Sequence, residues 1–517
     1  MSYKSGNQMI SVRAIAGLLL IYLAGIAYAA DTPHLMIGEA QYLGSENYDG
    51  TVDTFLGVPF AAPPIGELRW RAAQPYVAVA GQHKADSFAP ACYQGDHITR
   101  WYQDVIAGFG GDPNSIIAPD VSEDCLYLNV WRPSNVSQTP PLPIIVYVHG
   151  GSNRGGWSWE PNYLGENLAR QQAVVITVAY RLGPFGFMAH PQLKESNFGL
   201  TDLVMALNWI KQYSGQLGGD SENITLIGES SGASNISHLI AMPSAAGLFN
   251  RVIHQSAGWA LQESVSHDDA LSLGRALGEA TGSASIEAMR KLSPLAIDTA
   301  AQEVYLEAGF DPHLDLNILP YTPLEAVINK RANPVDLLIG SNADEWKMYL
   351  GPDESSNEWL AQNVEGSRIN TVTGTLEGLD EASKLDRLIT SVNYTCPSLR
   401  FADETAKAGA RTWVYYFSRR REGEKAAQMG AYHGAELPYV FNTHDTWLPT
   451  NADDRSLTQS MMRYWVNFAR YGNPNGKNLV AWPAFSSESD LNTLRLDTQI
   501  EAIVHPSAPL CKALFDR

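Results

Sequence analysis

The sequence predicts an α/β fold with a central, mostly parallel sheet and helices on both faces. Three observations predict it. Short β-branched runs bounded by turn residues recur along the chain. Helical patterns alternate with them from about residue 140 to 255. One Gly-x-Ser-x-Gly sequence joins a strand pattern directly to a helical one.

The elements follow in order. Lys4 and Arg13 precede an apolar run from Ala14 to Ala30, and Ala27-Tyr28-Ala29 supplies small residues for cleavage. Residues 1–29 therefore read as a signal peptide, and a secreted or periplasmic location is expected. After Pro140-Pro141-Leu142-Pro143, Ile144-Ile145-Val146-Tyr147-Val148 has the continuous apolar character of a buried parallel strand. Val174 to Tyr180, Ile224 to Ile227, Arg251 to His254, Val335 to Gly340 and Trp413 to Phe417 read alike. From Leu200 to Tyr213, helical spacing puts Leu203, Ala206, Leu207 and Ile210 on one face. Helices are also expected over Ser231 to Ala241 and Leu457 to Tyr471. Residues 260–330 and 350–400 look helical and loop-rich, as a cap over the sheet's C-terminal edge would be.

At about 150 residues per domain, a chain of 517 would hold three. Large α/β folds instead grow by insertion into one core, so residues 30–517 are read as a single catalytic domain. With 45% hydrophobic and 18% charged residues, the composition excludes global disorder. A formal charge of -19 disfavours nucleic-acid binding, which needs a basic face. Loss of Lys4 and Arg13 with the leader makes the chain more negative still. Past the leader no long apolar stretch remains, so no membrane association is expected after cleavage. Cys92, Cys125, Cys396 and Cys511 form an even set, which after an export signal points to two disulfides. Four cysteines allow three pairings, and none has zinc spacing, so no metal is expected.

The chemistry is carried by Gly228-Glu229-Ser230-Ser231-Gly232. A sharp turn from the Ile224–Ile227 strand into a helix lifts the Ser230 oxygen out, and glycines are needed where side chains would clash. A serine hydroxyl needs a base, and the base needs an orienting carboxylate, in the chain order Ser, acid, His for such a turn. His433, in a turn after the Trp413 strand, is the candidate base, with His444 as rival. His238 and His254 lie too close to the serine's own helix and next strand, and His267 and His313 precede the acid. Glu345 or its neighbour Asp344 is the acid, after the Val335 strand, and spacing does not separate them. Val148-His149-Gly150-Gly151-Ser152 ends a strand in a glycine turn suited to an oxyanion hole. The N–H groups of Gly151, Ser152 and Ser231 are the candidate donors.

These residues resemble the type-B carboxylesterases, a family that includes cholinesterases and bacterial para-nitrobenzyl esterases. The likeness runs from about residue 38 to the C-terminus. It lies in Phe55-Leu56-Gly57-Val58-Pro59-Phe60-Ala61 with Leu68-Arg69-Trp70, in Ser122-Glu123-Asp124-Cys125-Leu126-Tyr127-Leu128-Asn129-Val130, in Tyr180-Arg181-Leu182-Gly183-Pro184-Phe185-Gly186-Phe187, and in Gly218-Gly219-Asp220 before the serine turn. The resemblance implies an α/β-hydrolase fold, a small-molecule ester substrate and a Ser230–His433–Glu345 triad without any cofactor. It favours Glu345 over Asp344, and it favours His433 over His444 through His433-Gly434-Ala435-Glu436 before Pro438-Tyr439-Val440-Phe441. It further implies a buried tuning role for Glu229, a supporting role near the triad for Ser256, and the pairings Cys92–Cys125 and Cys396–Cys511.

Some positions depart from the family pattern. Ser152 stands where a third Gly or Ala is usual, Asn153 and Arg154 where aromatic or aliphatic residues are common, Ser231 where Ala is usual and Leu203 where Gln is frequent. Trp101 does not match the spacing of a choline-binding tryptophan. Trp157, Trp159 and Tyr163 are either an aromatic pocket wall or ordinary packing. Arg154 either meets an anionic substrate group or is solvated or structurally paired. The sequons at Asn135, Asn223, Asn235 and Asn393 matter only in a eukaryotic secretory pathway. The alternatives to an esterase are a non-catalytic cholinesterase-like binding protein and a lipase or amidase on the same fold. The oligomeric state is left open.

Overall fold

A large sheet organises the molecule. The computed structural model describes Met1 and residues 32–136, 140–315, 317–423, 425–486 and 492–515. The expected leader lies outside the described residues apart from Met1. Among the described residues the large sheet has 11 strands. They are β1 (Ser45–Glu46), β2 (Val52–Pro59), β3 (Tyr127–Pro133), β4 (Leu142–Val148), β5 (Val174–Val178), β6 (Gly219–Glu229), β7 (Arg251–Gln255), β8 (Asp336–Asn342), β9 (Thr412–Phe417), β10 (Thr493–Leu496) and β11 (Glu501–Ile503). Their spatial order is β11-β10-β9-β8-β7-β6-β4-β5-β3-β2-β1. The run from β5 through β10 is parallel, and antiparallel pairs close both edges.

Each strand read from the sequence is present within a few residues of its expected ends. Every residue of β4 and β5 is buried, as strands covered on both faces must be. Strands β1–β3, β10 and β11, which lie toward the two edges of the sheet, were not read as strands from the sequence.

Three long helices were also legible. In α1 (Phe198–Leu217), Leu203, Ala206, Leu207 and Ile210 are buried, each such leucine contributing about 1.5–3 kcal/mol. This helix ends at Gly218 with φ 80°, a left-handed C-cap suited to glycine. Helix α2 (Ser231–Ala241) is buried along its whole length. Helix α3 (Ala452–Tyr471) starts five residues earlier than its apolar pattern suggested. There Asn451 and Asp454 form a reciprocal cap that satisfies otherwise unpaired N–H groups.

Residues 260–330 hold helices at His267–Ala280, Pro294–Val304 and Pro323–Ile328, among others. Residues 350–400 hold helices at Ser356–Asn363 and Glu381–Thr390, and a π-helical segment, Ser391–Thr395, leads into Cys396–Lys407. Disulfides join Cys92 to Cys125 and Cys396 to Cys511. Among the described residues no helix is long and apolar enough to cross a membrane.

Buried ion pairs join the segments that looked most distinctive in sequence. Arg181 grips Asp202 of α1 through Nε at 2.8 Å and Nη2 at 2.6 Å, both side chains almost fully buried. Arg69 grips Glu123 in the same two-pronged way, at 2.7 and 2.5 Å. Removing one member of such a pair strands a buried charge and costs about 3–5 kcal/mol.

Candidate active site

The serine turn is built by sterics. Ser230 follows the last residue of β6 and precedes the first residue of α2, with φ 54° and ψ -133°. That is a strained conformation for a residue with a side chain. It persists because the turn has no slack. A Cβ on Gly232 would lie 2.1 Å from the Val148 carbonyl oxygen, and one on Gly228 would lie 2.6 Å from the Gly232 carbonyl carbon. The Ser230 N–H donates to the Gln255 carbonyl at 2.9 Å, which ties the turn to β7.

The glycine turn after β4 packs against it. A Cβ on Gly150 would meet the Glu229 carbonyl oxygen at 2.8 Å. Gly151, Ser152 and Asn153 all have positive φ, at 109°, 56° and 52°. Among the described residues the N–H groups of Gly151 and Ser152 have no acceptor within the protein, whereas that of Asn153 donates to Ser231 Oγ at 3.0 Å. Asn153 Oδ1 in turn accepts from Asn235 Nδ2 at 2.8 Å and Tyr180 Oη at 3.3 Å. Two family departures, Ser231 and Asn153, are thus one contact. Asn235 is fully buried in this cluster, so its sequon cannot present a glycan in the folded chain.

His433 is held by longer-range partners. Its Nδ1 lies 2.7 Å from Glu345 Oε2, and its Nε2 lies 3.2 Å from Glu229 Oε1. Glu345 is fully buried and accepts the Asn342 N–H at 2.6 Å. Asp344 faces elsewhere. It takes both prongs of Arg420 at 2.8 and 2.7 Å and the Ala431 N–H at 2.8 Å. His444 is engaged by Arg421 Nη2 at 2.8 Å and by Thr458. His238 is bonded to Ser234 and Ser264, and His254 lies inside the sheet, where among the described residues its ring nitrogens have no side-chain partner.

Behind His433 lies a polar layer that sequence reasoning missed. Glu436 accepts from Gln255 Nε2 at 2.7 Å and from Asn342 Nδ2 at 2.6 Å. The only hint was a second acid three residues past His433. Ser256 is fully buried with φ 55°, its N–H donating to the Gly340 carbonyl at 3.0 Å.

Several buried carboxyl groups therefore surround one imidazole. Burial pushes Glu229 up to about 8, against the opposing influence of His433. Burial alone would push His433 down. The carboxylates of Glu229 and Glu345 outweigh it and lift the ring to about 9. Burial also raises Glu436, and it brings Glu160 to about 7.

Ser230, Glu229, His433, Gly150, Gly151 and Ser152 all line one cavity of about 620 Å³. It opens at the C-terminal ends of the parallel strands, where sheets of this class place their ligands. Trp101, Trp259, Trp346 and Tyr349 make much of its wall, and Trp101 Nε1 donates to Tyr349 Oη at 2.8 Å. Of the three aromatic residues read as either pocket wall or ordinary packing, Tyr163 lines the cavity and the other two pack elsewhere. Trp157 is buried against Tyr102, and Trp159 stacks on Phe88 at 4.9 Å. Residues 306, 307 and 309–311 and 393–394 line it from the two helical segments.

A model described as "Carboxylesterase family" matches residues 33–511. A para-nitrobenzyl esterase of Bacillus subtilis (strain 168) is 30% identical, over 90% of this chain and 95% of that one. A fumonisin B1 esterase of Sphingopyxis macrogoltabida is 31% identical, over 93% and 90%. Among solved structures, a thermophilic PNB esterase superposes with a TM-score of 0.81 at 27% identity, covering 94% of this chain and 100% of that one. The fold is therefore that of the α/β hydrolases.

Proposed function

This chain belongs to the carboxylesterase family and is a carboxylic ester hydrolase; on that premise we propose that Ser230, His433 and Glu345 carry out the hydrolysis through an acyl-enzyme. The observation that carries the proposal is the 2.7 Å bond between His433 Nδ1 and a fully buried Glu345, in a cavity that Ser230 also lines.

Ser230 Oγ attacks the ester carbonyl carbon and gives its proton to His433 Nε2. Glu345 fixes the tautomer by accepting from Nδ1–H and stabilises the imidazolium that forms. Negative charge moves to the carbonyl oxygen, where the N–H groups of Gly151, Ser152 and Ser231 receive it. Collapse expels the alcohol, which takes the proton from His433. Water then attacks the acyl-enzyme by the same route and releases the acid. Glu229 Oε1, 3.2 Å from Nε2, favours the charged ring. Ser256 and Glu436 support the acid and base from behind.

The helical segments 260–330 and 350–400 act as a cap on the single catalytic domain, residues 30–517. Residues 1–29 direct export to a secreted or periplasmic location, which suits a protein with two disulfides.

The test is Ser230→Ala assayed on p-nitrophenyl butyrate, together with fluorophosphonate labelling. Loss of about a million-fold in kcat and of the label is expected, since one triad member removed disables the unit. Retained turnover in the variant would overturn the assignment.

A further inference from the structure

Arg154 stands apart from the other inward-facing arginines. Arg69, Arg132, Arg181 and Arg419 each meet a carboxylate. Arg154 lines the Ser230 cavity, and among the described residues no carboxylate lies within ion-pair distance of it. Its guanidinium carbon sits over an aromatic face, 5.8 Å from the Phe310 ring centroid.

Its position follows from the turn that holds the oxyanion donors. Ser152 and Asn153 both adopt positive φ, and the Arg154 N–H closes back onto the Gly151 carbonyl at 3.0 Å. The same turn therefore aims two free N–H groups and a guanidinium at one cavity. His97, also on the wall, is kept below the usual imidazole range, first by burial and also by the charge of Arg154, so it adds no second cation at neutral pH. Glu307 and Asp311 also line the cavity, neither in an ion pair with Arg154, and would repel an anion placed beside them. Besides His433, Arg154 is thus the cationic side chain among the described residues of this wall. A guanidinium is a permanent cation whose planar donors match a carboxylate.

We propose that Arg154 is a specificity residue that binds a free carboxylate on the ester substrate. It rests on the reading of Ser230 as nucleophile. The carboxylate can sit on either the acyl or the alcohol side of the scissile bond.

Two matched substrate pairs separate those sides. Mono-4-nitrophenyl glutarate and its methyl ester place the charge on the acyl group. 3-Butanoyloxybenzoate and its methyl ester place it on the alcohol. In wild type, one pair should show a higher kcat/KM for the charged member. In Arg154→Gln, the charged-to-neutral ratio for that pair should fall by about 10- to 100-fold, with Arg154→Lys in between. An unchanged ratio, or wild-type preference for the neutral member in both pairs, would overturn the proposal. Wild type alone offers a second reading, in which glutarate competitively inhibits turnover of the neutral ester and glutaramide does not. Equal inhibition, or none, counts against it. Failure of the nucleophile reading looks different, because Ser230→Ala would then still turn over both members of each pair.

Discussion

The serine turn and the histidine loop meet in one cavity but are held there by different means. Around Ser230 the constraint is steric and local. Within five residues, Gly228 and Gly232 have no room for a Cβ, and a strand feeds a helix without a linker. Around His433 the constraint is polar and distant. Its ring is fixed by Glu345, 88 positions away in sequence, and the layer behind it draws on Gln255, Asn342 and Glu436. A steric device tolerates no added atom. A polar one fails when a charge or a hydrogen-bond partner is lost.

Five substitutions test that contrast, the most damaging first. Glu345→Gln should lower kcat about 10,000-fold with the fold intact, because the amide no longer enforces the tautomer. Asp344→Asn beside it should lower the melting temperature and leave kcat near wild type, since Asp344 bonds Arg420 and Ala431 and not the ring. Equal kinetic effects of the two would erase the distinction between the neighbours. Gly232→Ala should destabilise the chain by about 3 kcal/mol or more, measured by denaturant unfolding, because its methyl would press on the Val148 carbonyl.

Glu229→Gln should cost about 10- to 100-fold in kcat/KM and also move the pH profile. His433 must be neutral to accept a proton, and its raised value near 9 makes activity climb as pH rises toward that point. Without the Glu229 charge the ring loses a proton more readily, so the acidic limb should shift to lower pH. A limb that stays in place would show that Glu229 does not tune the base. The smallest effect is expected of Ser231→Ala. It leaves the Asn153 N–H without its acceptor and should cost about 1 kcal/mol in thermal unfolding.

The same contrast explains what the sequence disclosed. The turn at Ser230, the parallel strands and α2 are local patterns of glycine placement and apolar run length, and they are readable from a few consecutive residues. Glu345 over Asp344 was not decidable from spacing, because adjacent carboxylates differ only in what distant residues they face. Trp157 and Trp159 illustrate the same limit, since an aromatic residue near a site signals burial without saying which side it is buried on. The Asn153–Ser231–Asn235 cluster was hidden for a further reason. Each member looked like an isolated oddity until the fold joined them.

The two disulfides have a bearing on how this protein can be made. Cys92–Cys125 closes a loop of 33 positions that carries Trp101, and Cys396–Cys511 closes one of 115 and anchors the stretch bearing Tyr394, whose ring lies 5.3 Å from that of His433. By loop-entropy arguments these links disfavour the unfolded chain by about 4 and 5 kcal/mol. A recombinant host with a reducing cytosol would withhold both restraints, so purified material from such a source should be softest beside the His433 ring.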